Sequence, residues 1–185
     1  MNALFAGLTT LDVLHRLDHV PDPGLKVTST DFTMAAGGPA TNAAVTYAAL
    51  EATARSLSSD EAVVGSPDPA TRADAPLLLT ALGEGPVSAF LAADLAAAGV
   101  RVVDATAPAA SPAPEAGERP AGSAERGSAP ASSRASREPA VSSIIEHPSG
   151  RMVASTNARL DADAERLAGD LPERVGAVPI DGHNP

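Results

Sequence analysis

The stretch from residue 77 to residue 103 constrains the fold more than any other. Leu77-Leu78-Leu79-Thr80-Ala81-Leu82 is an apolar run of strand length, closed by Gly83-Glu84-Gly85. Pro86 follows where a helix accepts proline, in the first turn, because the N–H it lacks would have no partner there. Apolar spacing continues from Val87 to Ala98, and Gly99 is a natural C-terminal cap. Val100 opens another short apolar run that ends at Val103. Strand, helix and strand in so few residues predict an α/β crossover, and with it a mainly parallel sheet flanked by helices.

The flanking segments supply the other elements. Residues 3–8 read as a buried strand, and Val13-Leu14 resumes the apolar pattern after the polar step Thr9-Thr10. Pro21, Pro23 and Gly24 mark a turn, and residues 26–34 suit exposed strand. Gly37-Gly38-Pro39 breaks that element, and Thr41 or Asn42 can start a helix that continues through strong helix formers to Arg55. Residues 140–146 and 151–156 flank His147-Pro148-Ser149-Gly150, which predicts a hairpin. A helix at 160–171 and a short strand at 177–180 complete the pattern.

Two stretches stand apart. Residues 51–76 are expected to be a surface insertion, since Ser, Asp, Pro and Gly dominate most of that span. Residues 105–138 contain no Val, Ile, Leu or aromatic side chain, and their four Glu balance four Arg. Such a segment has too little apolar surface to offset the entropy of ordering, so it is expected to be a disordered low-complexity insertion.

Composition narrows the function. Hydrophobic residues make up 44% of the 185, yet aromatics only 2%, so much of the apolar content is Ala and the core is expected to be thin. A net charge of -10 argues against nucleic acid or an anionic membrane as partner. No Cys is present, which excludes disulfides, thiolate metal sites and a thiol nucleophile. The start lacks the basic and long apolar regions of a signal peptide, and a cytoplasmic protein is the default reading. His15 and His19 lie in a strand-like context without a carboxylate set around them, which disfavours a metal site. No Gly-x-Ser-x-Gly elbow is present, and Ser149 is explained by the hairpin turn.

Three separated segments resemble the ribokinase/PfkB family of carbohydrate kinases. They are Gly7-Leu8-Thr9-Thr10-Leu11-Asp12, then Gly37-Gly38-Pro39-Ala40-Thr41-Asn42-Ala43-Ala44, then Thr80-Ala81-Leu82-Gly83-Glu84-Gly85 with its helix and Gly99-Val100. The resemblance implies a ribokinase-like fold with a small β lid from about 12–36 plus the 140–156 hairpin. It also implies that Asp12, Gly37, Gly38 and Asn42 bind a small-molecule sugar, with Arg151 and Asn157 as weaker candidates beside the hairpin. The chemistry suits the first four. A carboxylate accepts strong hydrogen bonds from hydroxyls, glycines let main chain approach a ligand, and an amide both donates and accepts. Without the resemblance, Asp12 would read as a turn or cap residue, Gly37-Gly38 as a turn and Asn42 as an N-cap.

For the whole family the resemblance implies phosphoryl transfer from ATP, with Mg, to a sugar hydroxyl, and it leaves open a homodimer through the lid. The family's Gly-Ala-Gly-Asp, whose Asp is the general base and whose glycine N–H groups cradle the phosphate, is absent from these residues. Leu167-Ala168-Gly169-Asp170 lacks the first Gly, and no Walker loop replaces it. The expectation is the N-terminal, truncated part of a sugar kinase that is inactive alone and has no ATP- or Mg-binding residues of its own. The alternative is a non-catalytic remnant that binds carbohydrate or a partner.

Overall fold

A computed structural model describes residues 2–58, 73–107, 138–156, 163, 171 and 175–180. Eight strands and two helices are defined among them: β1 (Asn2–Ala6), β2 (Thr10–Arg16), β3 (Asp31–Gly37), α1 (Pro39–Ser58), β4 (Leu77–Thr80), α2 (Pro86–Ala97), β5 (Arg101–Asp104), β6 (Ala140–His147), β7 (Gly150–Ser155) and β8 (Val175–Ala177). They form two four-stranded sheets, ordered β5-β4-β1-β8 and β3-β2-β6-β7.

The first sheet is parallel throughout. Burial on both faces explains why β1 and β4 read as apolar runs. Phe5, Leu78 and Val100 meet Ala40, Ala44 and Ala48 of α1 and Leu95 of α2 in one core. The three alanines recur every fourth residue, so they share one face of α1 and bring its backbone close to the sheet. On the opposite face Leu4, Leu77 and Val103 form a second cluster with Leu79 and Leu171. The crossover β4–α2–β5 is the one read from the sequence. Its helix ends in paired caps: the Val100 N–H donates to Leu95 O at 2.9 Å and the Gly99 N–H to Ala96 O at 2.9 Å, with Gly99 at φ 79°.

In the second sheet β2 is antiparallel to β3 and parallel to β6, and β6 and β7 form the hairpin. Its base packs against the loop after β4 and against α2. Leu11 is buried with Leu82 and Leu91, and Val13, Ala36 and Val141 pack beside them. Every residue of β7 is exposed.

Several boundaries differ from the sequence reading. The strand expected at 26–34 starts at Asp31 instead. The Thr30 N–H and hydroxyl both donate to Arg16 O, which closes the loop, and ladder pairing with Arg16 begins only at the next residue. The helix expected from Thr41 or Asn42 begins at Pro39 and runs to Ser58, so residues 51–58 are its last turns and not part of an insertion. Ala75 and Pro76, taken as the end of that insertion, are buried. Of the insertion expected at 105–138, Ala105 and Thr106 are buried and hydrogen-bonded, and residues 108–137 lie outside the described residues. The strand placed at 177–180 ends at Ala177, and beyond it only Ile180 bridges Ala6. The helix expected at 160–171 falls almost entirely outside the described residues.

Candidate functional site

The C-terminal end of β1 is where the two sheets meet. Parallel sheets place ligands beyond the carboxyl ends of their strands, so this edge is the one to inspect. After Ala6 the chain bends through Gly7, whose N–H donates to Leu79 O at 3.1 Å, and turns outward into β2. The corner is held by a buried pair of hydroxyls, Thr9 Oγ1 and Thr41 Oγ1, 2.9 Å apart. Thr41 also donates to Leu8 O at 3.5 Å, which ties the first turn of α1 to the corner.

Two glycines make the close approach possible. Gly38 lies at φ 103°, a left-handed backbone that side chains rarely adopt, and a Cβ there would strike the Leu8 carbonyl oxygen. A Cβ on Gly37 would enter the Asp12 carboxylate, with even the farther oxygen only 2.6 Å away. The carboxylate therefore rests directly on the Gly37 backbone. Thr10 Oγ1 donates to Asp12 Oδ1 at 2.8 Å and fixes the side chain. Alternation in β2 puts Thr10 and Asp12 on one face, which is why the two meet. Oδ2 accepts no hydrogen bond among the described residues; Asp12 is half-buried, and a carboxylate oxygen can accept from a ligand hydroxyl.

The candidate residues separate on this geometry. Asp12, Gly37 and Gly38 come together. Asn42 is exposed in the first turn of α1, with its N–H on Gly38 O at 2.8 Å. It is not an N-cap, since the helix has already begun at Pro39. Arg151 is elsewhere. It pairs in register with Glu146, which pairs with Arg16, four residues beyond Asp12. Strand geometry therefore puts it about 13 Å along the sheet and about 10 Å across it from Asp12. There Asp31, Arg16, Glu146 and Arg151 form a row of alternating charge, with Arg16 3.8 Å from Asp31 and 3.4 Å from Glu146. Asn157 lies outside the described residues.

Other contributors were not singled out from the sequence. Thr10 orients Asp12, and an alternating polar pair at a strand start was the available signal. Ser142 stands in register beside Asp12 and meets Ser155 Oγ at 2.9 Å, so the row continues as polar across three strands. Asp94 of α2 accepts from the Ala36 N–H at 2.7 Å. At the end of β5, Asp104 Oδ1 accepts from the Leu82 and Thr106 N–H groups and from the Thr106 hydroxyl, which organises the neighbouring loop.

No three His, Cys, Asp or Glu side chains converge as a metal-holding group among the described residues. A cavity of about 200 Å³ lined by Ala48, Ala52, Pro76, Ala97 and Gly99 lies at the opposite, N-terminal edge of β4 and β5 and has no part in this site. No helix among the described residues is long and apolar enough to cross a membrane.

No protein-family model matches the chain, and no curated protein matches it. Solved structures do. A microbiome-derived acarbose kinase is similar over 97% of this chain, with a TM-score of 0.56 and 12% identity. A protein of Agrobacterium tumefaciens classed as a ribokinase is similar over 97%, with a TM-score of 0.53 and 17% identity. The fold is ribokinase-like. The chain spans 45% and 44% of the lengths of those two structures. In this ribokinase-like frame the candidate residues lie at the carboxyl edge of the parallel sheet, and the second sheet rises from that edge.

Proposed function

We propose that this chain is the sugar-binding part of a cytoplasmic, ATP-dependent carbohydrate kinase, and that the second sheet is the lid over its sugar site. One observation carries the reading: the Asp12 carboxylate is seated on a backbone with no Cβ and held through one oxygen by Thr10, while its other oxygen accepts no hydrogen bond among the described residues. A strand-end aspartate serving only as a cap would accept from nearby backbone N–H groups, and Asp12 accepts from a side-chain hydroxyl. Asp12, Gly37, Gly38 and Asn42 would surround the sugar. Arg151 and Asn157 stay in the proposal only as groups a larger substrate could reach along the lid. ATP, Mg, the general base and the phosphate cradle belong to residues other than those described.

The reading extends to a homodimer through the lid. Phe32, Met34 and Met152 are 52%, 42% and 51% exposed, and their register places Phe32 and Met152 on the same face of that sheet. An apolar group of this size in water is a support for association.

Isothermal titration of the chain with D-ribose, together with a Mg-ATP turnover assay, tests the site. Binding that falls at least tenfold in Asp12→Asn, without phosphoryl transfer by the chain alone, is the expected result. Binding unaffected by Asp12→Asn would overturn the assignment. Sugar binding that never leads to turnover, even with the remainder of a kinase supplied, would favour the second reading of a non-catalytic carbohydrate-binding protein.

A further inference from the structure

Asp94 occupies a position that local rules disfavour. It lies in the last turn of α2, where the helix dipole is negative and a carboxylate is repelled, and no basic residue accompanies it there. A residue that breaks a local rule is held by something outside its own element. Here that is the edge of the second sheet. β3 is an edge strand, and the Ala36 N–H that faces away from β2 donates to Asp94 Oδ2 at 2.7 Å across 58 residues of sequence. Leu91, one turn earlier and so on the same face of α2, packs against Leu11. Leu11 is the register partner of Ala36. One face of α2 thus grips both strands at the same rung: Leu91 by packing on β2, Asp94 by hydrogen bonding to β3.

The position of that rung matters. Ala36 immediately precedes Gly37, the backbone under the Asp12 carboxylate, and Leu11 immediately precedes Asp12. Fixing the Ala36 amide fixes how Gly37 presents itself to Asp12. The fit leaves little slack, since a Cβ on Gly37 would already collide with the carboxylate. A charged acceptor makes the stronger kind of hydrogen bond, and it also satisfies an edge N–H that would otherwise be open to another strand.

We propose that Asp94 is a positioning residue for the sugar site: by holding the Ala36 amide it sets the seat of the Asp12 carboxylate and thereby the affinity for sugar. The proposal rests on the sugar-binding reading given above. Asp94 touches no substrate in it and acts only through β3.

Two substitutions in the full chain test it, each read by amide hydrogen exchange and by titration with D-ribose. Asp94→Ala removes the acceptor, and Asp94→Asn keeps a carbonyl oxygen in its place. In Asp94→Ala the Ala36 amide is expected to exchange at least tenfold faster while the Leu78 and Leu95 amides of the core keep their rates, and ribose affinity is expected to fall about fivefold or more. Asp94→Asn is expected to restore both. Unchanged exchange at Ala36 in Asp94→Ala overturns the anchoring. Faster exchange with unchanged affinity overturns the positioning role. Equal acceleration of Ala36 and core amides means general destabilisation and also overturns it. If the unsubstituted chain binds no ribose, the sugar-binding reading fails, and the exchange pattern still decides whether Asp94 holds β3.

Discussion

The two sheets of this chain contain the same number of strands and are held together by different means. In the parallel sheet Leu77, Leu78 and Leu95 are fully buried in or against its strands, and stability comes from removing Leu side chains from water. In the second sheet β7 is exposed along its whole length and the outer half of β3 is exposed too, so ladder hydrogen bonds carry most of the structure. The difference teaches where precision is needed. The second sheet is packed at its base, where Leu11 meets Leu82 and Leu91, and farther out it presents alternating charges and exposed apolar side chains.

The comparison can be broken at either sheet, and the largest effect belongs to the first. Leu78→Ala removes a side chain at the centre of the main core and is expected to cost about 2–5 kcal/mol in denaturant unfolding. A loss below about 1 kcal/mol would mean that burial does not dominate there. Gly37→Ala comes next. Its Cβ must displace the Asp12 carboxylate, and overpacking of this kind costs about 1–3 kcal/mol. Unlike Leu78→Ala, it should abolish titratable ribose binding in molecules that remain folded by circular dichroism.

The third test has the opposite sign. Thr80 Oγ1 is buried at the end of β4 and has no hydrogen-bond partner among the described residues. Thr80→Val exchanges that hydroxyl for a methyl group of similar shape and should raise stability by about 1 kcal/mol, as for any orphaned buried polar group. A fall in stability would reveal a partner for the hydroxyl. The smallest effect is expected at the rim of the second sheet. Val153→Ala, at a side chain 52% exposed, should change stability by less than about 0.5 kcal/mol. A cost comparable to that of Leu78→Ala would show that the face of β7 is covered in solution and that the contrast between the sheets is false.

Much of this was legible in the residues. The crossover from 77 to 104 could be read because each of its parts has a local cause: an apolar run, a proline that only a first turn tolerates, a glycine that only a left-handed cap requires. Asp12, Gly37, Gly38 and Asn42 stood out as short motifs in an order that resembles a family. The start of α1 was misplaced because Pro39 was read as a breaker together with Gly37-Gly38, although proline is equally suited to a first helical turn. The start of β3 was misplaced because small and polar residues at 26–30 suit both loop and exposed strand, and the closing hydrogen bonds from Thr30 to Arg16 are made across a 14-residue separation.

Local chemistry along the chain thus determined most element types and the α/β class, and it singled out a carboxylate and a glycine pair as candidates. The tertiary structure alone decided that the carboxylate rests on Gly37, that Arg151 stands apart from it, and that Asp94 reaches β3. The reason is distance in sequence. Propensity, capping and periodicity act over a few residues, whereas the contacts of Asp12 with Gly37, and of Asp94 with Ala36, join segments 25 and 58 residues apart and exist only once packing has brought them together.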